Sequence, residues 1–275
     1  MSHAKSILAG ILAVFLWAAI PALVKTGTSP QNLSFLLVLR FLCASLIFLP
    51  LFPRILQKAS QISWKKWGLL GFTLGANYYF QGLAMHLVPA SWYVVFFSLN
   101  PILAVFLLKV PMNLKKAMGF GFACLGTIAF AYGDLSKAPL TALIFITIGM
   151  LTWVLYTQQI RHFQAVYSDL ESSAATQFVS LIACLAIWIF QAAPTQSLQI
   201  EQLSSIFILG LTTPLAYFCF SFCMRRTPSF GLVSQYLEPV FGILIGVLFF
   251  GENLGFLQIV GASAIVLGAV KVEQG

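Results

Sequence analysis

Charged residues are scarce in this chain of 275 residues, since Asp, Glu, Lys and Arg together make up only 8% of it. A soluble domain carries about 25% charged residues. Hydrophobic residues, by contrast, make up 60% of the chain. This balance excludes a water-soluble domain and indicates an integral membrane protein.

Residues that hold metals or perform catalysis are also few. The three histidines, His3, His86 and His162, have no second ligand near them in the sequence, and no glycine-rich phosphate loop or Ser-His-Asp set is present. All five cysteines fall in apolar segments, and no His or acid accompanies the pair Cys219 and Cys223. The sequence therefore predicts no enzyme, cofactor, metal site or disulfide, and it contains no ATP-binding domain for a primary pump.

Apolar segments long enough to cross a bilayer follow one another along the whole chain. A membrane-spanning helix needs roughly 20 apolar residues. We count ten such segments, at 7–24, 33–52, 68–88, 91–109, 117–133, 139–158, 172–192, 204–224, 230–250 and 255–271. The sequence thus predicts an all-α integral membrane protein with ten transmembrane helices and loops too short for a further domain.

The net charge of +8 is explained by orientation in the membrane. If the N-terminus is cytoplasmic, two basic residues, Lys25 and Lys137, lie outside. Twelve lie inside: Lys5, Arg54, Lys58, Lys65, Lys66, Lys109, Lys115, Lys116, Arg161, Arg225, Arg226 and Lys271. This asymmetry predicts a multi-pass protein of the cell inner membrane with both termini cytoplasmic. It leaves no basic surface for a nucleic-acid partner, and a monomer is a possible oligomeric state.

Two halves of the chain resemble each other. At an offset of 139 residues, six positions of 70–89 match 209–228, among them Tyr78 and Tyr217, and Trp17 matches Trp153 at an offset of 136. Glycines 119 and 126 match glycines 261 and 268. We therefore predict two five-helix repeats, 1–133 and 139–275, joined by a linker at 134–138. Because five is odd, the second repeat crosses the membrane in the opposite sense, which makes it an inverted repeat.

Each half also places a polar residue beside a proline inside an apolar run, in "LNPILAVFLL" (99–108) and "LEPVFGILIG" (237–246). Proline removes one helical hydrogen bond and kinks the helix, so Pro101 and Pro239 are candidate hinges. In inverted-repeat carriers, interrupted helices surround a site near the bilayer midplane. The polar residues Asn100 and Glu238 are therefore expected to face that site.

Further candidates are polar or aromatic residues that share a helix face with these positions or with their repeat mates. Polar side chains that face lipid are costly, so they are expected to face a wet cavity or to form hydrogen bonds between helices. The candidate substrate-binding set is Trp17, Asn77, Tyr78, Gln81, Tyr93, Asn100, Trp153, Tyr156, Tyr217, Gln235 and Glu238.

Two ionisable residues, Glu238 and Arg40, lie well inside predicted spans. Glu238 is suited to carry a proton or to bind a cationic group, and its structural alternative is a pair with Arg40 or a helix cap. Arg40 can extend towards the membrane surface, pair with Glu238 or bind a substrate carboxylate. The sequence leaves these alternatives open.

Residues 204–271, with the core "LEPVFGILIGVLFFGENLGFLQIVGASAIVLGAV", resemble the EamA branch of the drug/metabolite transporter superfamily. A turn of small residues leads into a helix carrying Pro, followed by Gly-Glu and a glycine-rich last helix. In the first copy the Gly-Glu is missing and Asn100 stands in place of the acid. The resemblance implies a ten-helix carrier of small metabolites, commonly an exporter of amino acids, that works by alternating access.

Three functions remain open at this stage. The first is a secondary carrier of amino acids or similar metabolites, with aromatic or apolar ones favoured by the aromatic candidates. The second is proton-coupled efflux of cationic drugs through Glu238. The third, a lipid-linked flippase or membrane enzyme, needs a lateral groove with several charged groups at headgroup depth, and the loops offer no acidic cluster for one.

Overall fold

The computed structural model describes residues 3–97, 99, 100, 103, 107, 112–132, 139–191, 199–251 and 255–273. The regular structure of these residues is helical throughout. In the first half the helices are α1 (His3–Ala18), α2 (Ile20–Gly27), α3 (Leu33–Ile47), α4 (Phe52–Ala59), α5 (Trp64–Leu87), α6 (Ala90–Phe97) and α7 (Leu114–Ala131). A short 3-10 turn, Leu49–Leu51, joins α3 to α4.

The second half contains longer helices. They are α8 (Leu140–Gln164), α9 (Asp169–Gln191), α10 (Ile200–Arg226), α11 (Pro228–Val233), α12 (Glu238–Phe250) and α13 (Phe256–Glu273), with a 3-10 turn at Ser234–Leu237 between α11 and α12. Local sequence sets several ends. The Asn113 side chain accepts a hydrogen bond from the Lys116 backbone N–H at the start of α7. Gly251 ends α12 with a left-handed φ of 64°, which glycine adopts without strain.

Length and composition identify five spans within the described part of the chain. They are His3–Gly27, Leu140–Gln164, Asp169–Gln191, Ile200–Arg226 and Phe230–Phe249. A sixth is added if Leu33–Ile47 and Leu49–Ala59, which meet at 63°, count as one. The all-helical class is confirmed, whereas the number ten stays a prediction. One reason is that α5 carries two lysines and two side-chain amides, Lys65, Lys66, Asn77 and Gln81, which lower its mean hydropathy.

The helices of the two halves are interleaved. Helix α1 packs on α10, α3 on α9, α5 on α8 and α7 on α13. The contact between α7 and α13 is made by glycines: a Cβ added to Gly261 would lie 2.5 Å from the Gly126 carbonyl oxygen, and one added to Gly268 would lie 2.5 Å from that of Gly119. These two helices therefore touch backbone to backbone.

The helix that contains Pro239 is interrupted just before the proline. The 3-10 turn at 234–237 gives way to α12, and Pro239 lies in the first turn of α12. A proline in that position costs no helical hydrogen bond, because the first-turn N–H groups have no partner within the helix. Pro101, the other predicted hinge, lies outside the described residues.

Candidate functional site

A small cavity lies where α1, α5, α8, α10 and the 3-10 turn before α12 meet. Nine of the eleven predicted site residues line it: Trp17, Asn77, Tyr78, Gln81, Tyr93, Trp153, Tyr217, Gln235 and Glu238. The remaining two, Asn100 and Tyr156, contact members of this set. The structure thus brings together residues that are scattered over more than 200 positions of sequence.

Aromatic rings form one wall of the cavity. Trp17 and Trp153 meet edge to face with their centroids 5.0 Å apart, and Tyr217 lies 5.7 Å from Trp17 in a similar arrangement. Tyr156 packs behind this wall, 5.0 Å from Trp153. Such edge-to-face pairs stabilise the wall beyond simple burial.

The hydroxyl groups of Tyr78 and Tyr217 are hydrogen-bonded to each other within the same wall. These two tyrosines occupy equivalent positions in the two halves of the sequence, as do Trp17 and Trp153. The contacts therefore join residues from matching positions of the two halves.

Amide side chains hold α5 to α8 at the edge of the cavity. Asn77 donates from Nδ2 to the Gly149 carbonyl oxygen at 2.8 Å and to Thr152 Oγ1 at 3.3 Å. Its Oδ1 accepts a hydrogen bond from Gln81 Nε2 at 2.7 Å. Both expectations for such amides are met here, because Asn77 and Gln81 line the cavity and Asn77 also bonds to the neighbouring helix.

Gln235 connects three elements on the opposite side. Its Oε1 accepts hydrogen bonds from Asn100 Nδ2 at 2.6 Å and from the Trp153 indole N–H at 3.0 Å. The 3-10 turn at 234–237 directs this side chain inward. Tyr93, beside it, is buried and its hydroxyl has no hydrogen-bond partner among the described residues, so it can bond water or a ligand in the cavity.

Glu238 borders the cavity with only 6% of its surface exposed. It does not pair with Arg40, because the ion pairs between described residues join Lys58 to Glu171 and Asp169 to Arg225 and Arg226. A carboxyl group in such a cavity, with no basic partner among the residues that the structure describes, is suited to bind a proton or a cationic group.

Arg40 lies on α3 near Thr213 of α10. Its Nε and Nη2 donate to Thr213 Oγ1 at 3.0 and 2.8 Å, and its guanidinium carbon lies 5.3 Å from the ring centroids of Phe41 and Tyr78. The residue is 3% exposed, so it does not extend to the membrane surface.

The cavity is small, at about 40 Å³. A water molecule needs roughly 10–15 Å³ of such volume, so the space holds a few waters and no amino acid. Ion pairs join two of the surrounding helices at one end. Asp169 at the start of α9 bonds Arg225 Nε at 2.5 Å and Arg226 Nη1 at 2.7 Å, both at the end of α10.

Sequence reasoning missed several members of the lining, namely Ile20, Pro21, Met85 and Phe97. The signal for Pro21 was present, since it follows Trp17 by four residues and interrupts the first span. Helix α1 ends at Ala18 and α2 begins at Ile20. A proline that breaks a predicted span next to an aromatic candidate is therefore a useful marker of the site.

A larger groove of about 730 Å³ runs between α5 and α9. It is lined mainly by apolar and small residues, including Gly71, Gly75 and Ala183. Binding sites combine an apolar lining with convergent polar groups, and the smaller cavity has that combination. Within the described residues, no three His, Cys, Asp or Glu side chains lie close enough to hold a metal ion.

Comparison with known proteins agrees with this geometry. The sequence matches the EamA-like transporter family twice, over residues 4–132 and 140–272. A crystal structure of a protein 18% identical to this chain superposes with a TM-score of 0.76, covering 98% of this chain and 96% of the other. At this identity the likeness concerns the fold alone. No curated protein matches the chain in sequence.

Proposed function

Because the chain belongs to the EamA-like transporter family, a family of membrane transporters, we propose that it is a secondary transporter that exports small metabolites across the inner membrane. Amino acids are the proposed substrates, with aromatic or apolar ones favoured. The observation that carries this proposal is the convergence of Trp17, Trp153 and Tyr217 with Glu238 on one cavity. The rings suit an apolar or aromatic side chain, and the carboxyl group suits an ammonium group.

The architecture proposed for this function is a pair of inverted five-helix repeats, 1–133 and 139–275, joined by residues 134–138. Contacts between equivalent residues support it. Trp17 meets Trp153 and Tyr78 meets Tyr217. The glycine contacts are reciprocal, since Gly119 and Gly126 match Gly261 and Gly268 in sequence, and Gly119 touches Gly268 while Gly126 touches Gly261. Such exchanged contacts are expected of a two-fold axis.

Transport then proceeds by alternating access, in which the two repeats rock about the cavity. The helix breaks at Pro101 and Pro239 are the proposed flexible points. Support comes from the closed cavity of about 40 Å³, which has to enlarge before a metabolite can enter. Opening at one end requires separation of Asp169 from Arg225 and Arg226.

The proposed orientation places both termini and the loops 53–67, 110–116 and 159–171 in the cytoplasm. Reporter fusions test it directly. Labelling of a reporter at the C-terminus only from outside the cell, or of one after Lys137 only from inside, would show that the orientation is wrong.

Transport is tested with purified protein in proteoliposomes. We expect counterflow of labelled phenylalanine or leucine that is lost in Trp153→Ala. Vesicles with the lipid-facing variant Phe249→Ala serve as the control, because Phe249 is 77% exposed. If no member of a panel of amino acids is exchanged while nucleosides or organic cations are, the proposed substrate class is wrong.

A second candidate function, proton-coupled efflux of cationic drugs, is favoured by the buried carboxyl group of Glu238 alone. Glu238→Gln separates the roles. If Glu238 binds the substrate's cationic group, the change should weaken binding more than tenfold, which corresponds to about 1.4 kcal/mol. If it couples transport to protons, binding should persist and the pH dependence of transport should vanish. If transport and binding stay wild-type at every pH, Glu238 has neither role.

A further inference from the structure

A second, separate cavity of about 30 Å³ lies between α2, α3, α5 and α10. Its lining is mostly aliphatic, with Leu33, Leu36, Leu37, Ile206 and Leu209 among its members. The charged group that faces it is Arg40. Four residues line both cavities and form the wall between Arg40 and the cavity of Glu238: Ile20, Tyr78, Gln81 and Met85.

Among the described residues, no acid pairs with Arg40 to neutralise its charge. Of the five guanidinium N–H donors, the two that bond are directed to Thr213 Oγ1, and no acceptor among the described residues serves the others. The Thr213 hydroxyl is neutral, and it donates its own proton to the Leu209 carbonyl oxygen at 2.5 Å. The rings of Phe41 and Tyr78 offer cation–π contact only.

A buried guanidinium without a counterion is strongly disfavoured, because the charge has lost its water and gained no opposite charge. Arg40 also cannot escape this by losing its proton, since guanidinium groups stay protonated in proteins. The fork of free N–H groups matches a planar carboxylate, which accepts two parallel hydrogen bonds. The cavity beside it has the volume of a group of that size and little more.

We propose that this second cavity is an anion subsite in which Arg40 binds the carboxylate of the transported metabolite. This inference deepens the transport function proposed above and rests on it. It assigns the substrate to carboxylate-bearing compounds, amino acids among them. A cation without a carboxylate has no group that this subsite can bind.

Thermal unfolding of the purified protein in a chloride-free zwitterionic buffer tests the subsite without any need for transport. The probes are sodium acetate, phenethylamine and sodium chloride. We expect acetate to raise the Tm of the wild type. In Arg40→Gln the apparent affinity for acetate should fall at least tenfold, while any response to phenethylamine is retained. Arg40→Gln itself should fold, because it removes a buried charge without a partner.

A second variant keeps Arg40 and fills the cavity. Ile206→Phe should weaken the acetate response, whereas Leu211→Phe on the exposed face of the same helix should leave it unchanged. If acetate does not stabilise the wild type, or stabilises Arg40→Gln equally, the proposal is overturned. Stabilisation by chloride alone would identify a site for inorganic anions and would equally overturn the carboxylate assignment.

Proteoliposome transport separates this inference from the proposed function. If Arg40→Gln exchanges amino acids as the wild type does and acetate does not bind, the proposed transport function stands and the proposed subsite is wrong. If acetate binding depends on Arg40 but the protein exchanges no amino acid, the subsite is supported and the proposed substrate class is wrong.

Discussion

The helix pair α7 and α13 differs in kind from the helices around the two cavities. Glycines bring the backbones of α7 and α13 into direct contact, with a hypothetical Cβ on Gly261 only 2.5 Å from a carbonyl oxygen. The central helices instead meet through rings, amides and hydroxyls, as in the bonds of Asn77 to α8 and of Arg40 to α10. Two helices in backbone contact can pack in one arrangement only, whereas side chains between helices can exchange their hydrogen-bond partners. We therefore expect the glycine pair to hold α7 and α13 together, and the centre to carry any movement that the proposed transport needs.

The largest effect is expected at the glycine pair. Gly261→Leu places a bulky side chain against the Gly126 carbonyl and the Phe130 backbone N–H, 2.5 and 2.8 Å from its Cβ. Because neither backbone can yield without separation of the helices, we expect loss of monodisperse protein in size-exclusion chromatography. Gly121→Leu on α7 is the matched control, since a Cβ there meets nothing within 4 Å. Equal behaviour of the two variants would contradict the role assigned to this pair.

An intermediate effect is expected from Asn77→Leu in the centre. The change removes the bonds to the Gly149 carbonyl and to Gln81. Hydrogen bonds between membrane helices contribute about 1–2 kcal/mol, so the Tm should fall moderately while the protein remains folded, and exchange in proteoliposomes should be lost. Thr147→Val, which removes an exposed bond within α8, is the control. Full exchange by Asn77→Leu would place this amide outside the transport site.

A smaller effect of opposite sign is expected at Gln177. This residue of α9 is 0% exposed, and neither atom of its amide has a partner among the described residues. An unsatisfied buried polar group costs about 1–3 kcal/mol, so Gln177→Leu should raise the Tm. If the amide is satisfied in another conformation of the cycle, the same variant should also slow exchange. Gln158→Leu, at an exposed position of α8, should change neither quantity, and a lower Tm for Gln177→Leu would refute the reasoning.

The smallest effect on stability is expected at the ion pairs that close one end of the centre. Asp169→Asn weakens the pairs with Arg225 and Arg226, whose side chains are 35% exposed. Exposed pairs contribute about 0.2–1 kcal/mol, so the Tm should change little. The closed conformation should nevertheless become less favoured, which a cysteine at Ser221 reports as faster labelling in a cysteine-free background. Unchanged labelling would mean that these pairs do not hold the end shut.

Hydropathy alone located most helices within a few residues. The prediction 117–133 corresponds to α7 at Leu114–Ala131, and 172–192 corresponds to α9 at Asp169–Gln191. Hydropathy did not predict the helix breaks at Ala19 and at 234–237 or the 63° bend between α3 and the following segment. The reason is that mean hydropathy contains no information on backbone geometry. Glycine spacing was visible as a repeat, but its meaning as a helix contact required the structure.

The sequence predicted which residues line the candidate site, but it did not predict the hydrogen bonds between them. Polar and aromatic residues in apolar segments are easy to recognise in a sequence, and nine of the eleven residues chosen in this way line one cavity. The residues that they bond to cannot be recognised in the same way. Thr213, which bonds Arg40, is an ordinary threonine 173 residues further along the chain, and nothing in a single sequence relates the two. Pairings of this kind are decided by how helices from the two halves cross.

The distance in sequence between Arg40 and Thr213 has a consequence for biosynthesis. An Arg at the centre of a helix opposes insertion by about 2.5–3.5 kcal/mol, and each Leu, Ile, Phe or Val favours it by about 0.3–0.6 kcal/mol. With ten such residues around it, α3 can enter the bilayer by itself, before α10 has been translated. The ribosome then has to add 173 further residues before Thr213 exists. During that interval the nascent first half holds an incompletely solvated cation, so a truncated chain ending there is an expected target of membrane quality control.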